Sequence, residues 1–301
     1  MALLTARVPK VRARAGPALS VLGGFQLRSG GAAVSLPWNA QRMLGCLVLN
    51  GNGQRRDVLA GRLWSELSQE RAQANLRTAV WRIRQTLPGV VACSRDTVWL
   101  NADMSVDYHE MTSLAGRLLH HSVDQHELRQ VPFDLLASDL LPGWDEEWVL
   151  IDRERHRQLR MHALEALSTQ LTDIGEYGLA VDCAYAAIGI EPLCESATRT
   201  LLRACLAEGN RAEALRQYDL FRRLLAEETG LQPSRQLTDL VGALLPGRDG
   251  SVAAERRATR GFHASVKSPA GGLSQSTLRA EPASASLARH QRAGSPKPSN
   301  V

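Results

Sequence analysis

The sequence predicts a mainly α protein in which an N-terminal winged helix-turn-helix, itself α+β, precedes an all-α, tetratricopeptide-like helical repeat domain. Three observations support this: strands, three helices and a hairpin follow one another in the first hundred residues, a 34-residue repeat comes later, and the charge reverses between them. Residues 1–103 carry a formal charge of +9, residues 104–245 of −10 and residues 246–301 of +6. A basic domain suits a polyanion and an acidic domain is repelled by one, so the two should have different tasks.

Short strands and two helices are predicted before residue 65. Leu19–Leu27 and Ala33–Leu36 have strand-like composition on either side of a Ser-Gly-Gly turn. Asn39–Leu49 has helical spacing, with its apolar residues on one face. Asp57 is predicted as the N-cap of a second helix that buries Leu59, Leu63 and Trp64.

The third helix, Gln69–Leu87, is amphipathic and basic. Ser68 can cap its start, and Pro88-Gly89 ends it. One face is apolar; its members are Ala72, Leu76, Ala79, Val80, Ile83 and Leu87. A hairpin follows at Val90–Cys93 and Val98–Leu100, with Arg95 at its tip. A basic third helix directly before such a hairpin is the pattern of a winged helix that places this helix in the DNA major groove.

Eight polar side chains are the candidate DNA contacts. Those expected to reach base edges or the groove are Gln73, Asn75, Arg77 and Arg84, because Arg pairs with guanine and Asn or Gln with adenine. Phosphate contacts are expected from Arg71, Thr78 and Arg82, and a minor-groove contact from Arg95. For the four base-edge or groove candidates, contact with phosphate or water alone remains the alternative.

Other basic and aromatic residues are open to two interpretations. Arg42, Arg55 and Arg56 could grip the DNA backbone or simply be solvated. Trp81 is expected to pack on the wing, because large aromatic side chains usually bury, although it could also lie against DNA. The tryptophans expected in the core or at the domain junction are Trp64, Trp99, Trp144 and Trp148.

The second half contains two segments related by a shift of 34 residues. The matched pairs are Ala163 with Ala197, Leu167 with Leu201, Gly175 with Gly209 and Ala180 with Ala214. This period, with glycine at the turn and alanine where helices approach, is typical of tetratricopeptide repeats. Two repeats are too few for stability, so Glu147–Leu159 is predicted to add a capping helix. Stacked helix pairs usually present a groove that holds another protein.

The predicted domain boundaries follow from these patterns. A basic disordered arm occupies residues 1–18, the winged helix residues 19–104, the helical domain residues 105–245 and a disordered tail residues 246–301.

Several classes of site are not supported by the residues. The five cysteines are scattered without a C-x-x-C pair, which indicates buried thiols in a cytoplasmic protein. His120, His121 and His126 lack a fourth ligand for a tetrahedral metal site. The Asp145–Glu147 carboxylates have no nucleophile beside them and are interpreted as a helix N-terminal cluster. We therefore expect no catalytic residues, no metal, no cofactor and no membrane span.

Residues 19–245 resemble the Streptomyces antibiotic regulatory protein (SARP) family, whose second half is called the bacterial transcriptional activation domain. In the first domain the resemblance rests on LSVLGGFQL, QRMLGCLVLNGNG and ANLRTAVWRIRQTL. In the second it rests on LLPGWDEEWVLIDRERHRQLRMHALEAL, on Gly175–Pro192 and on AEALRQYDLFRRLLAEETGLQPS.

The resemblance implies an OmpR-like winged helix that binds direct repeats in double-stranded promoter DNA and contacts RNA polymerase holoenzyme. Because the sequence lacks a G-x-x-x-x-G-K-[ST] motif, it implies a small, ATP-independent member. A homodimer on DNA would fit tandem repeats.

Two functions therefore compete. The first is a sequence-specific transcriptional activator. The second is an interaction adaptor whose winged helix docks protein rather than DNA. The basic third helix favours the first.

Overall fold

The computed structural model describes residues 16–51 and 53–242. The predicted tail at residues 246–301, and the predicted arm except for its last three residues, lie outside these ranges.

The N-terminal part has the strand, three-helix and hairpin order of a winged helix, which confirms the predicted fold class. Its elements are β1 (Ala18–Ser20), β2 (Gln26–Ser29), β3 (Ala32–Val34), α1 (Trp38–Leu49), β4 (Gln54–Arg55), α2 (Arg56–Leu63), α3 (Gln69–Thr86), β5 (Val91–Cys93) and β6 (Thr97–Leu100). The antiparallel hairpin of β5 and β6 is called the wing below. α1 and α3 bury the apolar stripes that the sequence predicted.

Two local predictions in this part are wrong. The predicted first strand, Leu19–Leu27, is two strands, because Gly23 (φ +71°) and Gly24 (φ +139°) turn the chain between β1 and β2. Asp57 does not cap α2, since the helix begins one residue earlier and Asp57 lies in its first turn. Ser68 does hold the N-cap position of α3, but its side chain makes no capping hydrogen bond.

The helical part begins with a strand that returns to the first sheet. Its elements are β7 (Ser105–Val106), α4 (Asp107–Leu119), α5 (Gln125–Leu128), α6 (Phe133–Ala137), α7 (Glu147–Asp173), α8 (Tyr177–Ile190), α9 (Glu195–Glu208), α10 (Arg211–Thr229) and α11 (Arg235–Gly242). β7 pairs in parallel with β1, so the first sheet has the order β3-β2-β1-β7.

The two 34-residue segments fold as consecutive helix pairs. Gly175 (φ +80°) turns the chain between α7 and α8, and Gly209 (φ +90°) between α9 and α10, as the repeat predicted. The separate capping helix predicted at Glu147–Leu159 is wrong. Those residues are the first half of α7, which runs 27 residues without a break into the first repeat.

One hydrophobic core includes side chains of both the winged helix and the helical part. The segment Leu140–Val149 contributes five buried side chains to the core around α1 and α3: Leu140, Leu141, Trp144, Trp148 and Val149. Trp144 stacks on Phe25 at 5.9 Å between ring centroids, and its ring lies so close to Gly45 that a Cβ there would be 3.1 Å away. The domain boundary near residue 104 stays a prediction, and side chains from well beyond it complete the first core.

A half-buried carboxylate fastens α4 to the first sheet. The Asp107 side chain accepts hydrogen bonds from the backbone N–H groups of Val21, Leu22 and Tyr108 at 2.7 to 3.1 Å. Burial raises the pKa of Asp107 to about 6, although these three amides oppose the rise. Asp107 therefore connects the end of β1 to the first turn of α4.

Replacing Asp107 with alanine should lower the free energy of unfolding by about 1–3 kcal/mol, because it leaves amide donors without an acceptor. Urea denaturation at pH 7 measures this. Asp103→Ala is the matched control, since Asp103 is exposed, and we expect it to change stability by less than about 0.5 kcal/mol. Equal effects of the two variants would contradict the role given to Asp107.

The raised pKa also predicts a pH dependence. The pKa of Asp107 is about 6 in the folded protein against an ordinary value of 3.8, so the folded state binds this proton more tightly than the unfolded state. The contribution of Asp107 to the free energy of unfolding should therefore fall as the pH rises from about 4 to about 6, and be constant outside that window. Carboxyl NMR titration, with Asp107→Asn to assign the signal, should give a midpoint near 6. A midpoint near 4 would contradict the burial argument.

Candidate nucleic-acid interface

The exposed side chains of α3 fall on two flanks of the helix. At about 100° per residue, Gln73, Arg77 and Arg84 share one flank. The other flank holds the remaining four candidates on this helix: Arg71, Asn75, Thr78 and Arg82. Of these seven side chains, those of Gln73 and Asn75 are half-buried and the other five are exposed. Asn75, which the sequence grouped with Gln73, Arg77 and Arg84 as a base or groove contact, therefore lies on the other flank from those three.

A groove open to solvent lies between α3 and the wing, with a volume of about 660 Å³. We call it the α3–wing groove. Its lining consists of Arg55, Arg56, Asp57, Gln69, Gln73, Leu76, Arg77, Arg95 and Asp96. Four guanidinium groups and two amides thus face one concave surface, and the two carboxylates leave it with a net positive charge.

The wing is held in place by a strand that the sequence did not predict. β4 pairs with β6, so that the second sheet has the order β4-β6-β5. The backbone N–H of Arg56 also donates to the carbonyl of Asp96 at 2.8 Å. Because β4 runs directly into α2, this pairing fixes the wing tip, where Arg95 lies, against the start of that helix.

An ion pair orders one of the groove arginines. Arg55 Nη2 lies 2.7 Å from Asp57 Oδ2, and Arg55 Nε donates to Oδ1 at 3.1 Å. The hydrogen bonds from Arg55 lower the pKa of Asp57, and the carboxylate raises the pKa of Arg55. Both side chains are exposed, so the pair orients Arg55 rather than adding stability.

The structure brings together three of the eight candidate DNA contacts in this groove: Gln73, Arg77 and Arg95. The other five, Arg71, Asn75, Thr78, Arg82 and Arg84, lie on α3 outside the lining. Gln69 belongs to the lining and was missed, although its position one helical turn before Gln73 was a usable signal. The lining also contains Arg55 and Arg56, for which the sequence left DNA-backbone contact and solvation as equal alternatives.

Two interpretations from the sequence need correction. Trp81 does not pack on the wing: it is 52% exposed, with the Arg82 guanidinium 4.9 Å from its ring centroid. Arg42 is neither solvated nor free to grip DNA, because its side chain is only 14% exposed and is paired with Glu146. Trp64, Trp144 and Trp148 are buried as predicted, and Trp99 is half-buried.

The described ranges contain no group of three or more His, Cys, Asp or Glu side chains placed to hold a metal ion. Within them no helix is both long and apolar enough to cross a bilayer.

Comparison with known proteins bears on the helical half. A family model described as the bacterial transcriptional activator domain matches residues 133–245. Residues 133–245 are thus similar to a bacterial transcriptional activator domain, and we call this region the activator domain. This activator domain contains α6 to α11 and, at its start, the segment that completes the core of the winged helix.

Curated relatives extend the similarity to the winged helix. Regulatory protein AfsR of Streptomyces coelicolor is 28% identical over 262 residues, which cover 79% of this chain and 26% of the relative. AfsR of Streptomyces griseus is 28% identical over 263 residues with the same coverage. The chain thus spans about a quarter of the length of these relatives. The resemblance to the SARP family predicted from the sequence is confirmed.

A solved structure has a similar fold over most of this chain. Mycobacterium tuberculosis EmbR, in complex with a low affinity phosphopeptide, matches with a TM-score of 0.59 and 19% identity over 81% of this chain and 69% of that one.

Proposed function

We propose that the protein is a sequence-specific transcriptional activator that binds double-stranded promoter DNA through α3 and the wing. The observation that supports this proposal is the α3–wing groove, which is lined by Arg77 and Gln73 of α3 and by Arg95 of the wing. A major groove admits one α-helix, and guanidinium and amide groups are the side chains that read base edges there. Arg55 and Arg56 at the start of α2 supply phosphate contacts.

The eight candidate residues take different parts in this proposal. Arg77 and Gln73 read bases, and Arg95 enters the neighbouring minor groove. Arg84 follows Arg77 by two turns on the same flank and extends the contact along the duplex. On the other flank of α3, Arg71, Asn75, Thr78 and Arg82 face the opposite wall of the DNA major groove. There the Thr78 hydroxyl already donates to the Ala74 carbonyl at 3.1 Å, so it can accept from a base amino group but cannot also donate to the phosphate that the sequence led us to expect.

The activator domain supplies the second part of the function. We propose that it contacts RNA polymerase holoenzyme once the winged helix is on DNA, and that a homodimer occupies paired sites. Its acidic charge keeps its surface off the DNA and available to protein. Such a protein acts in the cytoplasm, where bacterial DNA lies, and uses no enzymatic step.

The decisive experiment is selection of bound duplexes from a random-sequence pool by the purified full chain, followed by gel-shift titration of the enriched duplex. We expect one enriched motif and an affinity that falls steeply with salt, as phosphate neutralisation requires. No enrichment, together with salt-independent capture of a protein partner that occupies the α3–wing groove, would support the adaptor function instead.

Arg77→Ala should weaken binding of the enriched duplex by about 1–3 kcal/mol and reduce discrimination against single-base variants. Arg203→Ala is the matched control, since Arg203 is an exposed helical arginine of the activator domain. Gel-shift titrations against the enriched and base-substituted duplexes measure both effects. Unchanged selectivity in Arg77→Ala would remove Arg77 from base reading.

Arg95→Ala should act differently, because a wing arginine contributes mainly electrostatic contact. We expect a similar loss for all duplexes and a decrease of about 1 in the slope of log affinity against log salt. Titrations at four salt concentrations measure the slope. A wild-type slope with lost sequence selectivity would instead place Arg95 on a base edge.

A further inference from the structure

A single guanidinium connects the activator domain to the helix that precedes α3. Arg42 Nη2 donates to the carbonyl of Leu63 at 2.6 Å and to Glu146 Oε2 at 2.7 Å. Its Cζ lies 5.9 Å from the ring centroid of Trp64. The Arg42 and Glu146 side chains are 14% and 20% exposed, so solvent screens this contact less than a surface ion pair.

The Leu63 end of this contact is the point where α2 stops. Leu63 is the last residue of α2 and Trp64 its C-cap, and the last carbonyls of a helix have no partner within it. Arg42 satisfies the Leu63 carbonyl and supplies positive charge at the negative end of the helix. Only the short turn from Trp64 to Ser68 then separates this point from α3, and its Leu67 N–H donates to the Trp64 carbonyl at 3.1 Å. The start of α3 is therefore placed by where α2 ends.

The Glu146 end belongs rigidly to the activator domain. Glu146 is the N-cap residue of α7, and its Oε2 also accepts from the Trp148 indole at 3.2 Å. Arg153 on α7 folds the preceding segment back onto the helix, because its guanidinium donates to the carbonyls of Leu140, Leu141 and Trp144 at 2.6 to 3.0 Å. Movement of α7 would therefore displace the Glu146 carboxylate.

From this geometry we infer that Glu146 is a positioning residue for DNA recognition. It acts through Arg42 to hold the end of α2, and so the start of α3, in the orientation that the α3–wing groove requires. Glu146 touches no DNA in the proposed binding mode, and the inference rests on that proposed function. A partner that shifts the start of α7 would alter DNA affinity through the same contact.

A neighbouring carboxylate distinguishes positioning by Glu146 from a general effect of negative charge on DNA binding. Glu147 is the next residue, is exposed and makes no ion pair with the described residues. Removing either carboxylate takes one negative charge from the same place, which by itself should leave DNA binding unchanged or slightly tighter. If Glu146 acts by positioning Arg42, removal of the Glu146 carboxylate should instead weaken DNA binding, and removal of the Glu147 carboxylate should not.

The experiment compares Glu146→Gln and Glu146→Ala with Glu147→Gln in the full chain. We expect binding of the duplex enriched by the wild-type protein to weaken by about threefold to thirtyfold in Glu146→Ala, and less in Glu146→Gln, which keeps one acceptor oxygen. Glu147→Gln should bind as tightly as the wild type or slightly more so. The salt slope should stay that of the wild type in all three, because no phosphate contact is removed.

Amide hydrogen exchange without DNA supplies a readout that a general loss of stability would not reproduce. Exchange at the Trp64 and Leu67 amides should speed up in both Glu146 variants, while amides of α9 and α10 keep their wild-type rates. Faster exchange throughout the chain, or equal behaviour of Glu146→Gln and Glu147→Gln in both assays, would overturn the inference. If the wild type enriches no duplex, the proposed function fails, and the exchange comparison alone then decides whether Glu146 holds the α2–α3 turn.

Discussion

The structure depends on the burial of Trp144 and its neighbours in the core of the winged helix. The segment that carries Trp144 belongs to the activator domain in sequence, yet its aromatic and aliphatic side chains cover α1. The indole packs so closely on Gly45 that a Cβ there would lie 3.1 Å from the ring, and the ring would have to shift by a few tenths of an ångström to accept it. Asp107, Arg153 and the Arg42–Glu146 pair then satisfy the polar backbone and charges around this core, so the two halves meet through a specific interface rather than a flexible linker.

The proposed DNA surface is positioned by short elements rather than long ones. Two residues of β4 connect the wing to α2, and one hydrogen bond from the Arg56 amide closes the connection at the wing tip. These contacts hold the wing against the start of α2. A wing held in this way favours recognition, because less backbone conformational entropy is lost on binding.

Sequence periodicity predicted the parts of the fold that depend on apolar stripes. α1, α3, the wing and the glycine turns at Gly175 and Gly209 follow from local pattern. β4 and β7 were not predicted, since a two-residue strand carries no periodic signal and forms only where it pairs with another strand. Trp81 was misjudged because its helix position lies on the flank away from the core, where aromatic character does not decide burial. The sequence identified α3 as the candidate DNA-binding helix. It did not show which flank of α3 faces the wing, and the α3–wing groove depends on that orientation.

The return of Trp144 to the first core also has a consequence for biosynthesis. When the winged helix has left the ribosome, its core still lacks five side chains that arrive some forty residues later along the chain. Domains generally fold as units during synthesis, and this unit closes only after the first residues of the next domain have emerged. A nascent or truncated chain that stops before Leu140 would expose apolar surface around Gly45. A winged helix made without the beginning of the next domain would thus have an incomplete core.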